Sequence, residues 1–200
     1  MTKKIVDVFH NKKTRVPFFV PDISKSDKLA VMNALNSRML TDGPQLRKFE
    51  RKFAKYTGSK YAVGVSNGTA ALHLALKALG LKKGDEVIIP NITFVATANS
   101  VLLTGATPVL VDVNYDDMNI SLDSIKQNIT SKTKAILPVH LAGKICKMTQ
   151  IKKIAKKNNL LLIEDCAHAI GTKLNNKHAG TFGNVGCFSF YPTKNFTTIE

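Results

Sequence analysis

The chain is predicted to fold as an α/β three-layer sandwich around a mostly parallel sheet, on three observations. Short runs of Val, Ile and Leu recur between helical stretches; strands that apolar are buried on both faces, as in parallel sheets built from βαβ units. The helical stretches carry start and stop residues such as Ser24, Pro44, Gly58 and Gly80. Chemically versatile residues follow several of the apolar runs, where a parallel sheet offers its strand ends to ligands.

Taken in order, residues 1–20 read as an N-terminal arm of weak periodicity, and residues 21–200 as one domain. "SKSDKLAVMNALNSRM" places Ser24 as an N-cap ahead of apolar Leu29, Val31, Met32 and Leu35. "GPQLRKFERKFAKYTG" starts a helix at Pro44, aligns Leu46, Phe49, Phe53 and Tyr56 on one face, and stops it at Gly58. "YAVGV" then reads as a strand, "NGTAALHLALKALG" as a helix, "EVIIP" as a strand and "TFVATANSVLLTG" as a helix. "TPVLVDV", "KAILPVH", "LLLIED" and "VGCFSF" are the further strands, with helices over "SLDSIKQNI" and "MTQIKKIAKKNN" between them. No repeat or Pro/Gly/Ser linker divides the chain.

The net charge of +15 raises the possibility of a nucleic-acid partner. Its distribution argues against one: the lysines occur as scattered pairs, and only Arg15, Arg38, Arg47 and Arg51 are arginines. A solvated lysine surface is the reading, with no nucleic acid and no membrane as partner. No run of 18 apolar residues is present, and the N-terminus lacks the apolar stretch of a signal peptide, so the expected location is cytoplasmic. Cys146, Cys166 and Cys187, spaced by 20 and 21, fit neither a disulfide framework nor a zinc pattern and are expected to be reduced.

Three strand ends carry candidate chemistry. "SNGT" after "YAVGV" opens a helix with small residues, which suits a phosphate or simply an ordinary capped turn. Glu164, Asp165, Cys166 and His168 end the next site strand; Asp165, Cys166 and His168 have metal-ligand chemistry without a second cluster, whereas one carboxylate could instead hold a cationic nitrogen of an organic cofactor. Ser189 lies in the strand "VGCFSF", and Lys194 follows in a loop as a candidate Schiff-base amine.

In their order and spacing, "SNGTAALHLAL", "PNITFVATAN", "GATPVLVDV", "AILPVHLAG", "IEDCAHAIG" and "CFSFYPTKN" resemble the DegT/StrS family of pyridoxal-phosphate (PLP) nucleotide-sugar aminotransferases, especially its perosamine-synthase-like members. The resemblance implies the large domain of the aspartate aminotransferase fold (fold type I), with PLP as cofactor. It implies that Lys194 binds PLP covalently and that Asp165 pairs with the pyridine nitrogen. His168 would lie by the ring and its phenolic oxygen, Phe94 would stack on the ring, and Gly68, Thr69 and Ser189 would hold the phosphate. Metal is not implied. The implied reaction moves an amino group from an amino-acid donor, L-glutamate by family habit, to a keto group of a nucleotide-linked deoxysugar in cell-surface polysaccharide or glycan biosynthesis, in a homodimer.

Two further readings remain beside it: a PLP-dependent sugar dehydratase, whose branch has histidine in place of Lys194, and a truncated, non-catalytic PLP-binding or regulatory protein. The family pattern continues past the lysine with a glycine-rich run where this sequence has "TTIE", and its members have a C-terminal small domain. The 200 residues are therefore expected to be the N-terminal part of a longer protein. Alone they should be poorly soluble or partly folded and turn over little, because a sheet cut here exposes an edge and an uncovered apolar face.

Overall fold

A computed structural model describes residues 20–198, so the expected arm lies outside the described residues except for Val20. The first helix, α1 (Lys25–Leu35), begins where its sequence says it should. Ser24 Oγ accepts the Asp27 N–H at 3.2 Å, and the Ser24 N–H donates to Asp27 Oδ2 at 2.8 Å, a reciprocal capping box. Its apolar residues behave otherwise than expected: Leu29, Val31, Met32 and Leu35 are all exposed, and no residue of α1 is buried. The cap sets where the helix starts, but no apolar partner among the described residues covers its face.

The next helix, α2 (Pro44–Thr57), ends on Gly58, whose left-handed φ of 77° lets its N–H reach Ala54 O at 2.9 Å. Its aromatic face docks edge-on to residues 188–190: Phe49 lies 5.2 Å from Phe190 and Phe53 lies 5.0 Å from Phe188, ring centre to ring centre. The two phenylalanines flank Ser189 in sequence. A local helical pattern thus fixes a strand end that is far away along the chain.

"YAVGV" is not a strand. Residues 61–65 lie outside any strand, and Tyr61 and Val63 are largely exposed. A strand needs a neighbour to satisfy its backbone groups, and the described sheet provides none here. Instead, Gly64 donates its N–H to Glu50 Oε1 of α2 at 2.9 Å.

The remaining elements follow the predicted alternation: α3 (Gly68–Ala78), β1 (Glu86–Pro90), α4 (Ala96–Leu102), β2 (Thr107–Val111), α5 (Leu122–Gln127), β3 (Thr133–Ile136), α6 (Met148–Lys157) and β4 (Leu161–Asp165). A hairpin of β5 (Lys173–Leu174) and β6 (Lys177–His178), not anticipated from the sequence, turns on Asn175 and Asn176, both at positive φ. Then comes β7 (Val185–Cys187), shorter than "VGCFSF" suggests, so that Ser189 lies just beyond the strand.

The main sheet has the order β2-β1-β3-β4-β7 and every pairing is parallel. The chain steps outward from β1 to β2 and then returns to the other side of β1. That reversal opens a crevice at the strand carboxyl ends.

Alternation along the strands divides the core into two layers. Val87, Ile89, Leu137 and Ile163 pack on one face with Leu72, Leu76 and Val101 of α3 and α4. Ile88, Ile136 and Leu162 pack on the other with Ile125, Met148 and Ile151 of α5 and α6. Ile163→Ala should destabilise the chain by about 2–5 kcal/mol in urea unfolding, as buried large-to-small changes do, whereas Leu29→Ala on exposed α1 should change it by less than about 0.5 kcal/mol. Equal effects at the two positions would contradict this partition.

Candidate active site

The end of β4 carries two adjacent acids, and the strand sends them to opposite faces. Glu164 belongs to the layer of α5 and α6, Asp165 to that of α3 and α4. Each is buried. Their partners give them different work.

Glu164 is saturated. Oε1 accepts the N–H groups of Phe182 and Gly183, both at 2.7 Å, while Oε2 accepts the Gly180 N–H at 2.9 Å and lies 3.1 Å from His140 Nε2. Because His140 Nδ1 accepts the Cys146 N–H at 3.2 Å, the ring proton sits on Nε2 and points to the acid. Glu164 thereby pins the loop that leads into β7.

His140, Glu164 and Cys166 are the metal-type cluster among the described residues, their ligand atoms all within 4.8 Å. Hydrogen bonds already engage both nitrogens of His140 and both oxygens of Glu164, and burial pushes the Cys166 thiol well up. It is a structural knot. It is also a different set from the Asp165, Cys166 and His168 considered on sequence grounds.

Asp165 is open by comparison. Its Oδ1 accepts the Ala167 N–H at 3.1 Å, and its Oδ2 accepts the Thr97 hydroxyl at 3.0 Å. No cation pairs with it among the described residues. Burial raises its pKa above the ordinary carboxylate value, against those two hydrogen bonds and the nearby His168 and His140.

His168 follows on the same strand end. Its Nδ1 accepts the Ala142 N–H at 3.3 Å, which leaves Nε2 to carry the proton of the neutral ring. Ala142 makes that contact from a left-handed φ of 50°. Burial lowers the His168 pKa, the charge of Lys194 lowers it further, and Asp165 opposes both. Lys194 is thus near enough to act on His168, and its Nζ has no hydrogen bond or ion pair among the described residues. A turn places it there: the Lys194 N–H returns to Tyr191 O at 2.8 Å across Pro192.

The helix start at α3 adjoins the same segment. Asn67 Oδ1 caps the helix by accepting the Ala70 N–H at 2.8 Å, leaving the N–H groups of Gly68 and Thr69 without partners among the described residues. A Cβ on Gly68 would come within 3.0 Å of Ser189 Cβ and 3.4 Å of its Oγ. The bare glycine therefore leaves a small cradle between a helix N-terminus and a hydroxyl. Ser189 is buried, and Phe94 stands 73% exposed on the loop after β1, free to cover something.

Of the residues singled out from the sequence, Gly68 meets Ser189 and Lys194 acts on His168, which in turn lies beside Asp165. Thr69 sits at the helix start, and Phe94 on the loop that leads to Thr97. Thr97 itself was missed. The signal for it was the pair Thr93 and Thr97, four residues apart, which puts two hydroxyls side by side on one turn.

Residues 21–200 match the DegT/DnrJ/EryC1/StrS aminotransferase family. The chain belongs to that family. It is 47% identical over 186 residues to the GDP-perosamine synthase of Escherichia coli O157:H7, covering 92% of this chain and 51% of that protein. In structure it is similar to a Streptococcus pneumoniae protein solved in its PLP form, with a TM-score of 0.90 and 34% identity over 94% of this chain and 52% of the other. It is also similar to GDP-4-keto-6-deoxymannose-3-dehydratase (ColD), solved as a mutant with bound GDP-perosamine, with a TM-score of 0.88 and 36% identity over 92% and 49% of the two chains. The chain spans about half the length of the relatives it matches.

Asp165 yields a pH prediction for this family member. An unfolded Asp side chain titrates near pH ~3.9, below the raised native value, so between the two the native state holds the proton more firmly. Stability then falls as pH rises through that window. Asp165→Asn removes the effect, so in urea unfolding without added cofactor the variant should gain on the unaltered chain as pH rises from about 4. Parallel pH curves would contradict it.

Proposed function

We propose that this chain forms the PLP-binding part of an aminotransferase that carries an amino group from L-glutamate to a keto group of a nucleotide-linked deoxysugar. The observation that supports it most is Asp165: a buried carboxylate, held on two sides and without a cation partner among the described residues, is suited to the N–H of a protonated heterocycle. PLP, when bound, supplies an electron-withdrawing pyridinium ring for a carbanion formed beside it.

The residues of the chain would do the rest. Lys194 Nζ, unpaired among the described residues and at the crevice, would hold the cofactor covalently and, once displaced, take and return a proton as general base and acid. Its neighbour His168, neutral and with its proton on Nε2, would donate to the phenolic oxygen. The free N–H groups of Gly68 and Thr69, with the Ser189 hydroxyl, form the donor set a phosphate needs, and Phe94 would cover the ring. The GDP-perosamine synthases among the relatives support a nucleotide-sugar acceptor. A cytoplasmic homodimer completes the proposal; no described helix is long and apolar enough to cross a membrane.

A sugar dehydratase is the second reading, since ColD is among the similar structures. Lys194 favours transamination, because it provides the covalent anchor that a histidine in its place would not. The test is equilibrium binding of PLP to the chain, followed by L-glutamate and measurement of pyridoxamine phosphate. We expect binding, a slow single-turnover conversion by the unaltered chain, no conversion by Lys194→Ala, and PLP affinity weakened about tenfold or more by Asp165→Asn, the scale of a lost charged hydrogen bond. Binding without conversion would favour a non-catalytic PLP protein. Affinity unchanged by Asp165→Asn would overturn the assigned site.

A further inference from the structure

The carboxylate of Asp165 depends on a hydroxyl that no part of the reaction above uses. Thr97, on the first turn of α4, is fully buried, and its Oγ1 lies 3.0 Å from Asp165 Oδ2 and 2.8 Å from Thr93 Oγ1. A hydroxyl has one proton to give, and an ionised carboxylate can only accept. The Thr97 proton therefore goes to Asp165, and Thr93 must be the donor in the contact between the two threonines. Both directions hold when the acid is ionised, the form that a cationic ring nitrogen requires. Ser100 Oγ, bonded at 2.9 Å to the Thr97 carbonyl, ties the same turn from the other side.

We infer that Thr93 and Thr97 form a one-way hydroxyl relay that orients Asp165 and keeps its carboxylate anionic for a cationic ring nitrogen. Thr97 is then a positioning residue, and this role rests on the PLP reading. The other groups around Asp165 do not replace it. His168 and His140 favour the anion only through space, and Lys194 acts on His168. Glu164 faces the opposite layer, and the Cys166 and Cys187 thiols are held neutral by burial, Cys187 being pushed up to about 12. Ala167 supplies the other direct bond, from the backbone, and fixes only Oδ1.

The experiment follows the Asp165 carboxyl by carbon NMR in the full chain without cofactor, with Asp165→Asn identifying the signal, and then measures PLP affinity on the same samples. Thr97→Val should move the Asp165 titration to higher pH and weaken PLP binding about tenfold. Thr97→Ser, which keeps the hydroxyl, should restore both. Thr93→Val leaves the bond to Asp165 in place and should shift the titration the same way by less, which keeps a test available if the buried Thr97→Val chain does not fold.

A Thr97→Val chain that titrates and binds as the unaltered one does would overturn the relay, as would a serine variant that behaves like the valine. A shifted titration with unchanged PLP affinity would overturn the positioning role. If the unaltered chain binds no PLP, the cofactor reading falls, and the carboxyl titration still decides the relay.

Discussion

The site hangs on the pleat of one strand. Where β4 ends, alternation sends two neighbouring carboxylates to opposite faces of the sheet, and everything chemical in the molecule is arranged around that split. One acid is spent on structure: Glu164 gathers three backbone N–H groups and one imidazole, and so fixes the loop that delivers β7. The other is left with capacity to spare. Were the strand to slip by a single residue, the two roles would exchange faces and neither set of partners would be met.

Fixing β7 matters because the chemistry lies beyond it. The register Asp165 to Cys187 sets how far Ser189 stands from the acid. Phe188 and Phe190, clamped by Phe53 and Phe49 of α2, hold that serine against Gly68. The charges then tune one another. Burial and the charge of Lys194 lower the His168 pKa, the Ala142 N–H settles which of its nitrogens bears the proton, and the Ala167 N–H and the Thr97 hydroxyl oppose the cost of burying Asp165 as an anion.

The fold was legible because βαβ patterning is written locally. Continuous apolar runs marked β1, β2, β3 and β4, and the caps at Ser24, Pro44 and Gly58 placed two helix starts and one stop. What local pattern could not show was the partner. "YAVGV" has a strand's composition yet has no strand beside it in the described sheet, and α1 has apolar residues that nothing among the described residues buries. In the site, Lys194, Asp165 and His168 drew notice by following strands, as did the small residues that open α3. Thr97 did not, since a buried threonine in a helix resembles filler until the acid 68 residues away is seen to meet it. Position at a strand end did not tell Glu164 from Asp165; the family resemblance pointed to Asp165, and the hydrogen bonds supply the physical reason by separating the saturated acid from the available one.

Lys194 must differ chemically from the other lysines of a chain of net charge +15 if it is the residue that holds PLP. The most direct measurement is to mix the chain with a slight excess of PLP, reduce with borohydride and map the modified lysine by peptide mass spectrometry. One dominant adduct is expected, at Lys194. Label spread over exposed lysines such as Lys152 and Lys156, with Lys194 no more modified than they are, would contradict it.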